Sequence, residues 1–316
     1  MNEFELIRRY FTRPAGGAVL GVGDDAAILR PTPGCDLHVS VDMLVEGRHF
    51  FADVEPEALG HKTLAVNLSD MAAMGAAPRW VVLSLALPAM DEAWAAGFSR
   101  GFFALAERYG VDVIGGDTTR GPLTLSVTVG GETPRGQALR RAAARVGDDV
   151  WVSGELGLGA MAVRSRLGKI APLPDGLREA AWRKLEYPEP RIPLGLALLP
   201  LAHAAADVSD GLLSDLGHIA AASQTAVEVW ADALPSHPLA EAGRGQWLDC
   251  LAAGGDDYEL VFTAPAAHRT QIEACAETAG CRLSRIGRIA AGQGVSLLDG
   301  AGNIIQLEST GYDHFK

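Results

Sequence analysis

Aspartates recur along this 316-residue chain in glycine-rich or apolar surroundings. The groups are Gly21-Val22-Gly23-Asp24-Asp25, Ser40-Val41-Asp42, Asn67-Leu68-Ser69-Asp70, Gly115-Gly116-Asp117, Asp207-Val208-Ser209-Asp210 and Gly254-Gly255-Asp256-Asp257. One such Asp reads as a turn former or a helix cap; this much repetition reads as a pattern. Carboxylates are hard oxygen ligands, and no His or Cys stands beside them to recruit zinc or iron, so the chemistry they suit is Mg²⁺ binding. Two or more such ions facing a nucleotide polyphosphate would offset its charge and align a phosphoryl transfer. The adjoining glycines let backbone N–H groups come close to a ligand.

Other nucleotide chemistries are excluded by their missing signatures. Gly60-His61-Lys62-Thr63 lacks the earlier glycine of a Walker A loop. No kinase H-R-D or D-F-G set is present. Gly154-Glu155-Leu156-Gly157-Leu158-Gly159 has G-x-x-G-x-G spacing, which fits close strand-to-helix packing better than a dinucleotide fingerprint. The net charge of −12 comes with no basic stripe, so no nucleic-acid partner is expected. It suits carboxylates awaiting a cation, and equally an ordinary soluble surface. Cys35, Cys250, Cys275 and Cys281 form no metal spacing and read as reduced thiols. Glu3, Glu5, Arg8 and Arg9 leave no apolar leader, and the apolar run over 80–90 is too short to cross a bilayer. A cytoplasmic enzyme is expected.

The elements that must position these groups follow from periodicity. A short helix is predicted over 3–11, then strands over 18–22, 26–29 and 37–44. Pro56 opens a helix to about residue 75, with Leu64, Leu68 and Met71 as its core stripe and Asn67 and Asp70 on a neighbouring row. A strand over 80–87 precedes a helix over 91–109 with Trp94, Phe98, Phe102 and Leu105 on one face. A short strand over 111–114 runs into Gly115-Gly116-Asp117, and another covers 123–129. Strands and helices do not alternate strictly, so the expected class is α/β of the α+β type: mixed sheets with helices packed on one side. The turn Val146-Gly147-Asp148-Asp149 marks a boundary between domains 1–145 and 146–316. In the second, a strand over 149–153 leads to helices near 156–167 and 175–185, with Asp175, like Asp91, as a helix cap. Residues 187–193, rich in proline, read as a surface link. A strand over 204–208 enters Ser209-Asp210-Gly211 before a helix over 212–222, and Gly254-Gly255-Asp256-Asp257 leads into a strand over 258–262.

Taken in order, these groups, with Asp42-Met43-Leu44-Val45-Glu46-Gly47-Arg48-His49-Phe50, Gly254-Gly255-Asp256-Asp257-Tyr258-Glu259-Leu260 and Gly311-Tyr312-Asp313-His314-Phe315, resemble the thiamine-monophosphate kinase family. That family lies in the superfamily of aminoimidazole ribonucleotide synthetase and selenophosphate synthetase. The resemblance spans essentially the whole chain. It implies a two-domain fold like that of aminoimidazole ribonucleotide synthetase, a homodimer joined through its N-terminal sheets, and ATP- and Mg²⁺-dependent phosphorylation of thiamine monophosphate to thiamine diphosphate. It puts metal ligands at Asp25, Ser40, Val41, Asp42, Asp70, Asp117, Asp207 and Asp210, with Asp42, Asp70, Asp117 and Asp210 carrying the chemistry. Nucleotide contacts fall on Gly116, Asp117, Arg141 and Ser209, and substrate contacts on His49, Asp256 and Tyr312. Two positions depart from the family pattern. Val41 stands where Thr is frequent, so a metal contact there must use the backbone carbonyl, and Asp256 stands where related enzymes carry Glu. Without the resemblance, His49 and Tyr312 read as packing residues and Arg141 as part of a solvated face. Other readings stay open on the residues alone: a synthetase of the same superfamily, a metal-dependent phosphatase, or a non-catalytic cation-binding dimer.

Overall fold

The structure is a computed structural model and describes residues 3–312. Asp313, His314 and Phe315 of the last motif lie outside the described residues. The chain divides into two compact units. One runs up to Met71 and resumes over Ala76–Gly136; the other joins Ala72–Gly75 to everything from Gln137 onward.

The first unit opens with α1 (Glu3–Leu6), which continues as a π-helical turn over Ile7–Phe11. Strands β1 (Ala18–Leu20) and β2 (Ile28–Leu29) form an antiparallel pair whose tip carries Asp24 and Asp25. These strands are shorter than expected because the glycines and carboxylates between them do not join the ladder. The remaining elements are β3 (Cys35–Val45), α2 (Pro56–Ala73), β4 (Ala77–Leu87), α3 (Glu92–Tyr109), β5 (Asp112–Arg120) and β6 (Thr124–Pro134). Their four-stranded sheet has the order β3-β6-β4-β5, antiparallel except for β4 with β5. The expected strand over 111–114 does not stop at the glycines: β5 runs through Gly115, Gly116 and Asp117 to Arg120, because glycine still offers its backbone to the ladder.

Helix α3 is capped by Asp91, which accepts from Ala93 and Trp94 N–H at 2.8 and 3.1 Å, and it ends at Gly110 in the left-handed region. It meets α2 where glycine replaces a side chain on each helix. A Cβ at Gly60 would stand 2.0 Å from the Phe98 carbonyl, and one at Gly101 would stand 1.9 Å from the Glu57 carbonyl. Phe98, Phe102, Leu64, Leu68 and Met71 fill the core beside this crossing.

The second unit is built on a six-stranded sheet in the order β12-β9-β11-β7-β10-β8. Its elements are β7 (Asp148–Ser153), α4 (Leu158–Arg166), α5 (Asp175–Glu186), α6 (Ile192–Leu198), β8 (Ala204–Asp207), α7 (Leu212–Ser223), β9 (Ala226–Trp230), α8 (Leu248–Ala253), β10 (Leu260–Pro265), α9 (Arg269–Ala279), β11 (Leu283–Ala290) and β12 (Gly294–Leu298). All neighbours pair antiparallel except β12 with β9. Both units are thus mixed sheets with helices, the class expected from the sequence.

Three local expectations need correction. Asp175 is the first residue of α5, not its cap; the cap position is Pro174, and Asp175 pairs with Arg178 one turn on, at 2.7 Å. The proline-rich link does not lie on the surface: Pro188 and Pro190 are buried, and α6 begins at Ile192 with Pro193 in its first turn. Strand β10 begins at Leu260 and not at residue 258, because Tyr258 has φ of 49° and cannot be extended.

Candidate active site

In the first unit, period-two alternation along β3 sets the chemistry. Leu37, Val39, Val41 and Met43 are exposed, while Ser40 and Asp42 point toward α2. Ser40 Oγ donates to Asp70 Oδ2 at 2.6 Å, and the Asp42 N–H donates to Asn67 Oδ1 at 3.1 Å. Asn67 is itself fixed, its Nδ2 donating to the Thr63 carbonyl at 2.9 Å. The one-turn spacing of Asn67 and Asp70 thus matches the two-residue spacing of Ser40 and Asp42 across a single seam. Val41 is exposed and faces away from it.

His49 closes the turn after β3. Its N–H donates to the Val45 carbonyl at 3.0 Å, and its Nδ1 accepts from the Val45 N–H at 3.0 Å. With Nδ1 as acceptor, a neutral ring carries its proton on Nε2. Lys62, the lysine of the Walker-like tetrapeptide, is buried and donates to the His49 carbonyl at 3.3 Å.

Gly116 and Asp117 lie farther along the same sheet. The register aligns Asp42 with Val127, Leu83 and Gly116, whereas Asp117 aligns with Ser84 and Ser126. Asp117 is therefore one residue out of step with Asp42 and points to the opposite face of the sheet. A Cβ at Gly116 would fall 2.1 Å from the Leu83 carbonyl, so no other residue fits there. Beside this pair is a narrow recess walled by Ile7, Phe11, Val22, Leu83, Leu85 and Val113. Asp25 is exposed at the tip of the β1–β2 pair, where its N–H donates to Asp24 Oδ1 at 2.9 Å.

The second unit gathers the later motifs. Asp207 is buried at the end of β8, and Ser209 and Asp210 follow in the loop before α7. That loop is knitted to the other two motifs by main-chain bonds. The Asp256 N–H donates to the Ser209 carbonyl at 2.9 Å, the Tyr258 N–H to Val208 at 2.8 Å and the Tyr312 N–H to Asp210 at 2.9 Å. A Cβ at Gly255 would stand 2.4 Å from the Ser209 carbonyl, which explains the glycine pair. Ser209, Asp210, Asp256 and Tyr312 are thus neighbours, and the Tyr312 side chain is 49% exposed. Arg141 is exposed in a short 3₁₀ turn whose carbonyl accepts from Ser223 Oγ at 2.7 Å. The glycines of 154–159 serve packing: Gly157 begins α4 at φ of 80°, and a Cβ at Gly159 would stand 2.6 Å from the Asp256 carbonyl.

Reasoning from sequence missed several residues that hold this site. Asp215 is buried and its Oδ2 accepts from the N–H groups of Ser209, Asp210 and Gly211 at 3.1, 3.3 and 3.2 Å. Burial, reinforced by the Asp210 carboxylate, pushes its pKa up to about 7. Its position one turn into a helix, aimed back at the preceding loop, was a usable signal. Asp257 is wholly buried and takes the Gly157 N–H on both oxygens, at 3.0 and 2.8 Å; burial pushes its pKa up to about 8. Glu259 is also wholly buried, yet its pKa is lowered. Desolvation opposes its charge, and the Lys184 ammonium and Arg191 guanidinium outweigh that penalty.

The chain matches the AIR synthase related protein N-terminal domain over residues 23–133 and the corresponding C-terminal domain over residues 145–300. It is 40% identical to the thiamine-monophosphate kinase of Salmonella typhimurium, covering 99% of this chain and 98% of the relative. The chain belongs to the thiamine-monophosphate kinase family. Among solved structures, it is similar to the thiamine-monophosphate kinase from Stenotrophomonas maltophilia K279a, with 49% identity and a TM-score of 0.85 over 93% of this chain and 94% of that one. It is also similar to AaThiL complexed with AMPPCP and TMP, at 28% identity and a TM-score of 0.77, over 90% of this chain and 89% of that one.

Among the described residues no three His, Cys, Asp or Glu side chains form a ready-made metal cluster. The donors that do gather, Ser40, Asp42, Asn67 and Asp70, offer oxygen alone. This set fits a hard divalent cation held by one or two carboxylates and completed by water and substrate phosphate. No helix among the described residues is long and apolar enough to cross a membrane.

Proposed function

We propose that this protein transfers the γ-phosphoryl group of ATP to thiamine monophosphate, forming thiamine diphosphate and ADP. The observation that carries the reading is the likeness, over 90% of this chain, to a structure that holds AMPPCP and TMP together. A phosphate oxygen of thiamine monophosphate is anionic near neutral pH and needs no general base. It attacks the γ-phosphorus in line, a P–O bond forms, and the bond to the β,γ-bridging oxygen breaks as ADP leaves. The obstacle is repulsion between two phosphate-bearing anions. That accounts for motifs rich in Asp and poor in His.

Mg²⁺, when bound, supplies charge neutralisation and a template for the phosphates. Mg²⁺ ions would be held in the first unit by Asp42 and Asp70 with the Ser40 hydroxyl and the Val41 carbonyl, by Asp117 on the other face of that sheet and by Asp25 at the β1–β2 tip, and in the second unit by Asp207 and Asp210. Gly116 would meet the nucleotide through its backbone, and the apolar recess beside it offers a face to a purine ring. Asp117, Arg141 and Ser209 complete the nucleotide contacts. His49, Asp256 and Tyr312 receive thiamine monophosphate. The protein works in the cytoplasm as a homodimer, with a second copy covering the exposed apolar residues of β3.

Incubation with ATP, Mg²⁺ and thiamine monophosphate, followed by separation of thiamine esters, tests the reading. Thiamine diphosphate formed in step with ADP is expected. Release of ADP without thiamine diphosphate would overturn it.

A further inference from the structure

Asp256 and Tyr258 both adopt positive φ, 64° and 49°, a region that residues with a Cβ rarely enter. The surroundings must hold them there. On the inner side of the same segment stand Asp257 and Glu259, neither with any exposed surface. Glu259 is the more heavily tied. It accepts from Ser153 Oγ at 2.5 Å, from Arg191 Nε and Nη2 at 2.7 and 2.6 Å, and from the Lys184 ammonium. Ser153 Oγ in turn accepts the Leu260 N–H at 2.9 Å. Gly154 leaves room for the group, since a Cβ there would fall 2.2 Å from Glu259 Oε1. The other side of the segment is pinned by the Asp256 and Tyr258 N–H groups on the Ser209 and Val208 carbonyls. The left-handed residues lie between these anchors.

We infer that Glu259, clamped by Arg191 and Lys184, is a positioning residue that fixes the left-handed turn at Asp256 and so sets where the Asp256 carboxylate meets the substrate. The inference rests on the reading of Asp256 as a thiamine monophosphate contact. A guanidinium fork fixes the orientation of a carboxylate, whereas an ammonium supplies charge without direction. Arg191→Lys therefore keeps the charge of the clamp and removes its direction.

The test uses the full chain with Arg191→Lys and Asp256→Ala, singly and combined, varying thiamine monophosphate and ATP separately. Asp256→Ala is expected to raise the KM for thiamine monophosphate. Arg191→Lys is expected to raise the same KM about tenfold and leave the KM for ATP within about twofold. The combined variant is expected to be no worse than Asp256→Ala alone, because the clamp acts through that carboxylate. Effects that multiply in the combined variant overturn the inference, as does an equal rise in both KM values or no rise with Arg191→Lys. If Asp256→Ala leaves the KM unchanged, the substrate assignment fails and the clamp falls with it, a result distinct from multiplying effects. Ser153→Ala removes the hydroxyl's bonds to Glu259 and Leu260 and keeps both ion pairs, so it decides the matter if Arg191→Lys does not melt cooperatively. A rise in the thiamine monophosphate KM that disappears in the Asp256→Ala background supports the clamp; a multiplying one overturns it.

Discussion

Ser40 Oγ donates to Asp70 Oδ2 at 2.6 Å across the β3–α2 seam, and Asp42 stands beside them with its N–H on Asn67. A carboxylate placed there tolerates an amide sterically, but an amide carries no charge for a cation. Asp70→Asn is expected to fold normally and to lose about 10³-fold in kcat at saturating ATP, Mg²⁺ and thiamine monophosphate; wild-type turnover would remove Asp70 from the metal set. Asp257 makes a prediction of opposite sign for stability. Its pKa in the folded protein is pushed up to about 8, against about 4 in the unfolded chain. The stability that goes with its bound proton is complete below about pH 4 and is lost as pH rises through about 8. Asp257→Asn, fixed in the neutral form, should therefore gain melting temperature over the wild type as pH goes from about 5 to about 8. A difference that stays flat across that series would count against the buried proton. At this scale the sequence was informative where like residues repeat and uninformative where charge is balanced at a distance. Asp70 and Asp210 stand in repeated motifs, and the structure sets Asp70 against Ser40 and the Asp210 carbonyl against the Tyr312 N–H. The clamp on Glu259 was not legible, because its cations lie 75 and 68 residues upstream in a stretch that looked like helix surface and linker.

Helix α2 carries Gly60 at its crossing with α3 and, two turns later, the Asn67 and Asp70 side chains that meet β3. The crossing therefore sets the height of the site as well as the core. Gly101→Ala would place a Cβ 1.9 Å from the Glu57 carbonyl, a backbone atom that cannot swing aside. The helices must separate, at a cost of about 1–3 kcal/mol, read as a lower denaturant midpoint, and kcat should fall with the displaced Asp70. Gly217→Ala in α7 is the matched control: nothing lies within 4 Å of the added methyl. There the gain in helix propensity should leave the protein about 0.5–1 kcal/mol more stable. Equal behaviour of the two variants would refute the crossing as the cause. The existence of both helices was plain from the aromatic and Leu stripes at helical spacing. Which glycines mark the contact was not, since a glycine in a helix looks the same in sequence whether it faces a neighbour's backbone or solvent. The continuation of β5 through Gly115-Gly116-Asp117 was hidden for a related reason: glycine weakens strand propensity but not ladder hydrogen bonding, and β4 supplies the partner.

On the scale of the whole molecule, β3 serves two purposes that alternate along one strand. Ser40 and Asp42 face α2, while Leu37, Val39, Val41 and Met43 lie 50%, 59%, 59% and 56% exposed on the edge strand of the sheet. An exposed apolar row on an edge strand invites association, and no charged residue of the row itself opposes it. A second copy of the same sheet would cover the row symmetrically, since an isologous contact places one apolar patch against itself. Val39→Glu introduces a carboxylate in the middle of this row, twice per dimer, without touching Ser40, Asp42 or the Val41 carbonyl. Light scattering coupled to size exclusion should find the wild type near twice the 33.2 kDa chain mass and the variant near the single-chain mass. Because the same strand holds the seam that meets α2, the monomeric variant should also lose turnover while keeping its melting transition. A wild type that runs as a monomer at micromolar concentration would leave the apolar row without its partner and remove assembly from the account of the site.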